Sequence, residues 1–343
     1  MKSFILEFIQ AAWVKKGAFF YLVLMPLSWL FAVITALRRW AYRAGLLKSY
    51  ALPVPVIIIG NINVGGSGKT PTVIWLVHQL KLQGYKPAVI SRGYGGSATQ
   101  ATSVTPASLP SIVGDEPVLI ASRSACPVWV GRDRVDVGQA LLRAHPTCDV
   151  LISDDGLQHY RLKRDVELAV VDASMPPEGA YLLPAGALRE PLNRLNTVDA
   201  VVLNGETSHI KAKQGAKTID ATFQMQLLGE QFYNLTDASI KATAADFKQK
   251  KVAALAGIGK PERFFAHLRK LGLIFTDLSF DDHYAFTNAD LSKIECDVLI
   301  MTQKDAVKCK PFAKAHYWVL PVEASIDAGL MPVILSKLAK SKI

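Results

Sequence analysis

The stretch "GNINVGGSGKTP", residues 60–71, ends in the Gly68-Lys69-Thr70 triplet of a phosphate-binding loop. The general pattern is G-x-x-x-x-G-K-[ST], and Asn63 stands where its first glycine belongs. In such a loop the backbone of Asn63, Val64, Gly65, Gly66, Ser67, Gly68, Lys69 and Thr70 cradles phosphate oxygens at a helix N-terminus. Lys69 would reach the β- and γ-phosphates, and the Thr70 hydroxyl would ligate Mg2+. Pro71 falls in the first turn, where a missing N–H costs nothing.

Further along, "LISDDGLQH" (151–159) sets two aspartates at the end of an apolar run. A metal-binding strand ends this way, because Mg2+ takes carboxylate and water oxygens beside phosphates. Neighbours at a strand end point to opposite sides, so one of Asp154 and Asp155 faces the metal; the alternative is a helix-capping pair with no metal. "GDEP" (114–117) offers Asp115 and Glu116, either as a base and a metal contact or as a solvated turn. "DDHYAF" (281–286) places His283 beside Asp282; a histidine paired with a carboxylate can accept a proton, while a lone one is more often structural. In "ALREP" (187–191) Arg189 could clamp a phosphate, or pair with a neighbour such as Glu190 at the surface.

These residues need a scaffold. "VPVIIIG" (54–60), "PAVISRG" (87–93), "CDVLISDDG" (148–156), "VELAVVDAS" (166–174) and "DAVVLNG" (199–205) are short apolar runs closed by polar or glycine punctuation. Alternating with helices, such as one from Thr70 through Gln83, they predict a mostly parallel sheet covered on both faces. Ligands of such sheets bind beyond the carboxyl ends of the strands, where the motifs sit. Residues 206–248 are polar, with alternating stretches such as "KTIDATFQMQL", and predict a connector with antiparallel strands. "KKVAALAGIGKPERFFAHLRKLG" reads as strand, turn and helix, and "CDVLIMTQKDAVK" as a strand entering a loop. The chain thus divides into a helical leader (1–50), a loop-bearing domain (51–205), the connector (206–248) and a smaller α/β lobe (249–343).

The chain has 343 residues, half of them hydrophobic and 20% charged, which fits a globular enzyme and excludes both a disordered chain and a polytopic membrane protein. A net charge of +10 suits an anionic partner: nucleotide phosphates, an acidic membrane surface or nucleic acid. Cys126, Cys148, Cys296 and Cys309 form no C-x-x-C pair and have no zinc spacing, so they read as reduced thiols. Residues 17–37 carry no charge and as a helix would be about 31 Å long, enough to cross a hydrocarbon core. Pro26 would kink that helix. Lys2, Lys15 and Lys16 precede it and Arg38, Arg39, Arg43 and Lys48 follow, so charge sets no orientation; with Trp13, Trp29 and Trp40 the segment also fits insertion into one leaflet, or a buried core helix.

Two resemblances sharpen these readings. "GGSGKT" is similar to the variant loop of partition ATPases and their dethiobiotin-synthetase-like relatives, G-K-G-G-x-G-K-[ST], with Gly65 and Gly66 as the double glycine. Val64 stands where many of those ATPases carry a lysine that reaches the partner subunit's nucleotide. Beyond the loop, "SRGYGG" (91–96), "GDEP", "GRDR" (131–134), "DDGLQH", "LLPAGALREP" (182–191), "DDHYAF" and "TQKDAVK" (302–308) together resemble the tetraacyldisaccharide 4′-kinase family of lipid A biosynthesis, LpxK, in the right order over nearly the whole chain.

That resemblance implies a P-loop NTPase-like α/β fold with an N-terminal hydrophobic helix. It also implies a kinase that uses ATP and Mg2+ on an acylated disaccharide lipid at the cytoplasmic face of the inner membrane. It implies Asp115 and His283 as a joint base, Glu116 as a further metal contact, Gln158 and His159 lining the site, and Arg134, Arg189 and Glu190 near phosphate or sugar. Gln303 replaces an expected Glu and Leu157 a frequent Phe, neither touching the chemistry. With Asp115 in one lobe and His283 in the other, lobe closure on substrate would complete the pair. A partition-type ATPase switch is the rival, disfavoured by Val64; no motif points to nucleic acid, nor to an obligate protein partner.

Overall fold

The computed structural model describes Gly17 and residues 19–174, 181–205 and 221–340. The leader's Lys2, Trp13, Lys15 and Lys16, and residues 206–220 of the expected connector, lie outside the described residues. The chain forms two compact units. One comprises Met1–Lys69, Asp149–Gln226 and Ile326–Ile343, the other Thr70–Cys148 and Leu227–Ser325. The units interleave along the chain, whereas the segments read from the sequence are consecutive.

The first unit is built on parallel strands in the order Thr222–Leu228, Ala200–Asn204, Val166–Asp172, Val56–Gly60, Val150–Asp154. Val56–Gly60 and Val150–Asp154 are buried at every position, as runs without alternation require when both faces are covered. Ile57, Ile58 and Ile59 have no exposure, and burying each stabilises by about 1.5–3 kcal/mol. The centre of the sheet is therefore rigid, and its strand ends hold the loops that follow in fixed places. Of the antiparallel strands expected within 206–248, Phe232–Asn234 and Lys241–Ala242 do pair antiparallel, but Thr222–Leu228 pairs parallel to Ala200–Asn204, with Val202 beside Phe223. Alternation reports a half-exposed strand and not its direction.

The second unit holds Pro87–Ser91 parallel to Val128–Val130, which is antiparallel to Thr102–Val104. It also holds a six-stranded sheet in the order Lys241–Ala242, Phe232–Asn234, Tyr317–Leu320, Val298–Thr302, Val252–Ala256, Thr276–Ser279. The inner strands are parallel, and Phe232–Asn234 and Lys241–Ala242 add antiparallel pairs at one edge. Ala254 and Ile300 pack with Phe264, Phe265 and Leu268 of helix Pro261–Lys270 on one face. Leu255, Leu299 and Met301 pack with Phe286 and Tyr317 on the other. Val298–Thr302 does not enter a loop: it runs straight into helix Gln303–Cys309, because Thr302 caps that helix. Its Oγ1 accepts from Asp305 N at 3.1 Å and donates to Asp305 Oδ2 at 2.7 Å.

In the leader, a π-helical turn Phe20–Leu24 continues into α-helix Met25–Arg43. Pro26 leaves the helix unbroken because it sits in the first α-turn, after the wider turn in which Met25 N–H bonds Phe20 O. Phe20, Leu24 and Ser28, four residues apart, face inward, with Ser28 Oγ donating to Leu182 O at 2.8 Å. Leu22, Trp29, Leu30, Ile34, Leu37 and Trp40 are exposed. Only 17% of the most apolar window is buried, so this is no core helix; by length and composition it suffices to cross a membrane.

Gly114 caps helix Asp115–Ser124 with φ at 91°, and a Cβ there would meet Tyr94 O at 2.7 Å. We expect Gly114→Ala to lose roughly 2–3 kcal/mol in urea unfolding, because strain and a backbone clash add. Gly66→Ala, whose Cβ meets nothing within 4 Å, should cost far less stability; equal costs would contradict the placement of Gly114.

Candidate active site

Residues 61–68 leave strand Val56–Gly60 and lead into helix Lys69–Leu82, the strand–loop–helix order that a phosphate loop needs. The helix buries Val73, Leu76, Val77 and Leu80, a 3.6-residue stripe that fixes its axis. A second segment pins the loop. Val64 N donates to Ala187 O at 2.8 Å, Arg189 N and Glu190 N both donate to Ile62 O, and Asn63 bridges Leu188. Asn63 is thus buried against the "ALREP" segment, and its Nδ2 donates to Val64 O at 3.2 Å. Gly68 has φ of 99°, and a Cβ on it would lie 2.7 Å from Asn204 Nδ2. That amide donates to Ser67 O at 3.0 Å. Val64, Gly65 and Gly66 are exposed, whereas Ser67 is buried and its Oγ has no hydrogen-bond partner among the described residues.

At the end of Val150–Asp154 the two aspartates diverge. Asp154 is 1% exposed, while Asp155 takes a left-handed backbone with φ of 48°. Asp155 is held by Arg189 at 3.1 Å and lies 3.5 Å from Lys69 Nζ. The loop lysine and the "ALREP" arginine thus meet on one carboxylate.

Glu190 is not an open substrate contact. It is 3% exposed, and its carboxylate accepts from Gln158 Nε2 (2.8 Å), Tyr160 Oη (2.7 Å) and Arg39 Nη1 (3.4 Å), with Arg194 Nε at 3.3 Å. Gln158 also donates to Asn61 O at 3.0 Å, so it braces the loop. Burial and the Glu190 charge push the Tyr160 phenol up to about 12, keeping it a donor. Tyr160, Arg164, Arg194 and Arg39 are neighbours of the site that the motifs missed. Arg164 ties the turn that carries His159, reaching the carbonyls of Leu157 at 3.2 Å and His159 at 2.5 Å. Only the Glu190–Arg194 spacing of four was legible as a pair.

In the second unit, helix Asp115–Ser124 packs against helix Gln303–Cys309. His283 Nδ1 lies 3.0 Å from both carboxylate oxygens of Asp115, and Asp115 Oδ1 accepts from Glu116 N at 2.8 Å. Both residues belong to this one unit and are already bonded, which corrects the expectation that lobe closure completes the pair. The Tyr94 ring of "SRGYGG" stands 5.1 Å from the imidazole. His283 holds φ at 61°, a strained conformation that its surroundings must over-determine. Glu116, expected as a metal contact, accepts from Lys304 Nζ through Oε1 at 3.1 Å. Among the described residues no three His, Cys, Asp or Glu side chains gather as a metal cage. Arg134 is buried at the start of helix Arg134–Ala144, where Asp133 caps by accepting from Val135 N, and its Nη1 reaches Arg132 O at 3.4 Å.

The charges of the pair follow from this packing. Burial alone would raise the Asp115 carboxyl, but the His283 hydrogen bond and the Lys304 charge outweigh it and hold it below 3.8. Burial would lower His283, but the Asp115 hydrogen bond outweighs that and raises it above 6.5. Lys304 is likewise raised: the Glu116, Asp115 and Asp282 carboxylates override its burial. A carboxylate–imidazole pair of this kind, beside a cation, can take a proton from an alcohol.

Residues 20–339 match the family model described as tetraacyldisaccharide-1-P 4′-kinase, LpxK. The tetraacyldisaccharide 4′-kinase of Azoarcus sp. (strain BH72) is 49% identical over 317 residues, 92% of each chain. That of Methylobacillus flagellatus is 47% identical over 319 residues, 93% of this chain and 92% of the relative. A crystal structure of LpxK from Aquifex aeolicus in complex with ATP superposes with a TM-score of 0.76 at 30% identity, covering 92% of this chain and 98% of that one. With a family model matched over residues 20–339 and relatives nearly half identical over more than nine-tenths of the chain, the chain belongs to the tetraacyldisaccharide-1-P 4′-kinase (LpxK) family.

Proposed function

We propose that this chain moves the γ-phosphoryl group of ATP to the 4′-hydroxyl of a tetraacylated glucosamine disaccharide 1-phosphate, giving lipid IVA. The observation that carries this reading is the Asp115–His283 pair at 3.0 Å, a proton acceptor that an ATPase switch does not need. The backbone N–H groups of residues 63–70 receive the phosphates, and Lys69 exchanges Asp155 for a phosphate oxygen. The pair takes the hydroxyl proton as the 4′-oxygen attacks the γ-phosphorus; the bond to the bridging oxygen breaks and ADP leaves. Arg189, bound to Asp155, supplies positive charge at the same strand end.

Mg2+ suits the donors at the loop: the Thr70 hydroxyl and the Asp154 carboxylate are hard oxygens of the kind it combines with phosphate and water. Asp155 is committed to two cations, so we assign the metal contact to Asp154. Bound there, Mg2+ would neutralise phosphate charge. Val64, uncharged and 40% exposed, supports an acceptor-triggered kinase over a partition-type ATPase.

The substrate's acyl chains keep it in a bilayer, so we place the enzyme at the cytoplasmic face of the inner membrane. Its exposed apolar helix would enter the lipid, with exposed Arg38, Arg43 and Lys48 beside it for anionic headgroups.

Transfer from γ-labelled ATP to the disaccharide in detergent micelles tests the activity; no transfer by the wild type would sink it. His283→Ala should lower kcat by about 10²- to 10⁴-fold and leave ATP affinity intact; lost ATP binding would make His283 structural. A neutral imidazole leaves the Asp115 carboxylate a stronger base than an imidazolium would, and the ring's folded value is raised. Rate should therefore climb with pH through a midpoint above 6.5, and a midpoint below it would contradict the pairing. Leu30→Glu with Ile34→Glu should abolish flotation with anionic vesicles; unchanged flotation would refute insertion of this face.

A further inference from the structure

Lys304, the lysine of "TQKDAVK", touches every acidic group around His283 and has no part in the transfer as described above. Its position is set by the fold. Thr302 and Asp305 cap helix Gln303–Cys309, and Asp305 also accepts from Gly257 N at 3.0 Å, which anchors the turn to the neighbouring strand end. The Lys304 ammonium is then held by Asp282 Oδ1 at 2.9 Å and Glu116 Oε1 at 3.1 Å, with 14% of the side chain exposed. Asp115 Oδ2 lies 3.9 Å away. The remaining neighbour is His283 Nε2, at 3.3 Å. An ammonium has three N–H donors and no acceptor, and these three partners use them all.

This geometry constrains the imidazole. A neutral imidazole carries one N–H, on either nitrogen. A proton on Nε2 would face another donor, and its other acceptor, Asp282 Oδ2 at 3.8 Å, is beyond hydrogen-bond reach. A proton on Nδ1 meets both oxygens of Asp115 at 3.0 Å. We propose that Lys304 is a positioning residue: anchored on Asp282 and Glu116, it donates to His283 Nε2 and so holds the neutral ring's proton on Nδ1, aimed at Asp115. Two consequences follow for the chemistry. The ring orients and holds the carboxylate, and Nε2 is closed to the acceptor hydroxyl. The proposal rests on the pair being the base, and its test separates the two ideas.

The test uses the full-length protein in detergent with 15N-labelled histidine. Long-range proton–nitrogen spectra distinguish the two neutral tautomers, and the His283 signal is the one missing from His283→Gln. The wild type should show the Nδ1–H form. Lys304→Met should move the population toward Nε2–H and lower kcat by about 10-fold or more, a share of what acid–base catalysis supplies, with KM for ATP unchanged. Lys304→Arg keeps a donor and should recover part of both. An Nε2–H wild type overturns the proposal, as does a tautomer unchanged in Lys304→Met. Should Lys304→Met fail to fold, the wild-type spectrum still decides. If Asp115→Ala and His283→Ala transfer phosphate normally, the base assignment fails, while the tautomer result stands by itself.

Discussion

A carboxylate sealed from water must be met by donors, because an uncompensated buried charge costs several kcal/mol. Glu190, 3% exposed, is met by Gln158, Tyr160, Arg39 and Arg194. Those residues come from the apolar helix, the turn after Asp155 and the segment behind "ALREP". Its own backbone N–H, with that of Arg189, ends on the carbonyl of Ile62 at the root of the phosphate loop. Satisfying one charge thus fixes the loop, the turn and the end of the helix to a common point. Arg189 is thereby set to hold Asp155, and Asp155 to hold Lys69.

The second cluster is organised by the same rule, with the signs divided differently. Lys304 is a half-buried cation among three carboxylates and an imidazole, and each group is stable there because of the others. Asp155 and His283 both sit in left-handed backbone, with φ of 48° and 61°. Neither is glycine, so the surrounding contacts must outweigh the strain. In each cluster the strained residue is the one whose side chain pairs with the reactive group: Asp155 with Lys69, His283 with Asp115.

Much of the scaffold was legible because strands buried on both faces read as unbroken apolar runs. Val56–Gly60, Val150–Asp154, Val166–Asp172 and Ala200–Asn204 all fall within the stretches the sequence marks. Thr222–Leu228 was misread in direction, since alternation carries none. The helix after Thr302 was missed although Thr302 and Asp305 have the spacing of a cap. At the site, the loop residues and the Asp115, His283 and Arg189 positions were legible as motifs. The partners of Glu190 were not: it meets Arg39 across 151 residues, a separation to which local spacing is blind, whereas Asp115 and His283, 168 residues apart, are paired in the sequence only through the family resemblance. Glu190, expected near phosphate or sugar, is closed in by Gln158 and Tyr160, and Glu116 meets Lys304, pairings that no local spacing shows.

The leader helix touches the protein through Phe20, Leu24 and Ser28 alone among its buried positions. Phe20 meets Tyr181 edge-on at 5.4 Å, and Ser28 must reach one particular carbonyl. Its outer residues meet no such shape requirement. One helix is therefore under two kinds of selection. Along the inner stripe, substitutions are limited by shape and by a hydrogen bond, as in a protein core. On the outer face any bulky apolar residue serves, so Leu, Ile, Val, Phe and Trp can interchange there freely. Sequence drift along this segment should carry a four-residue rhythm, constant on one side and fluid on the other.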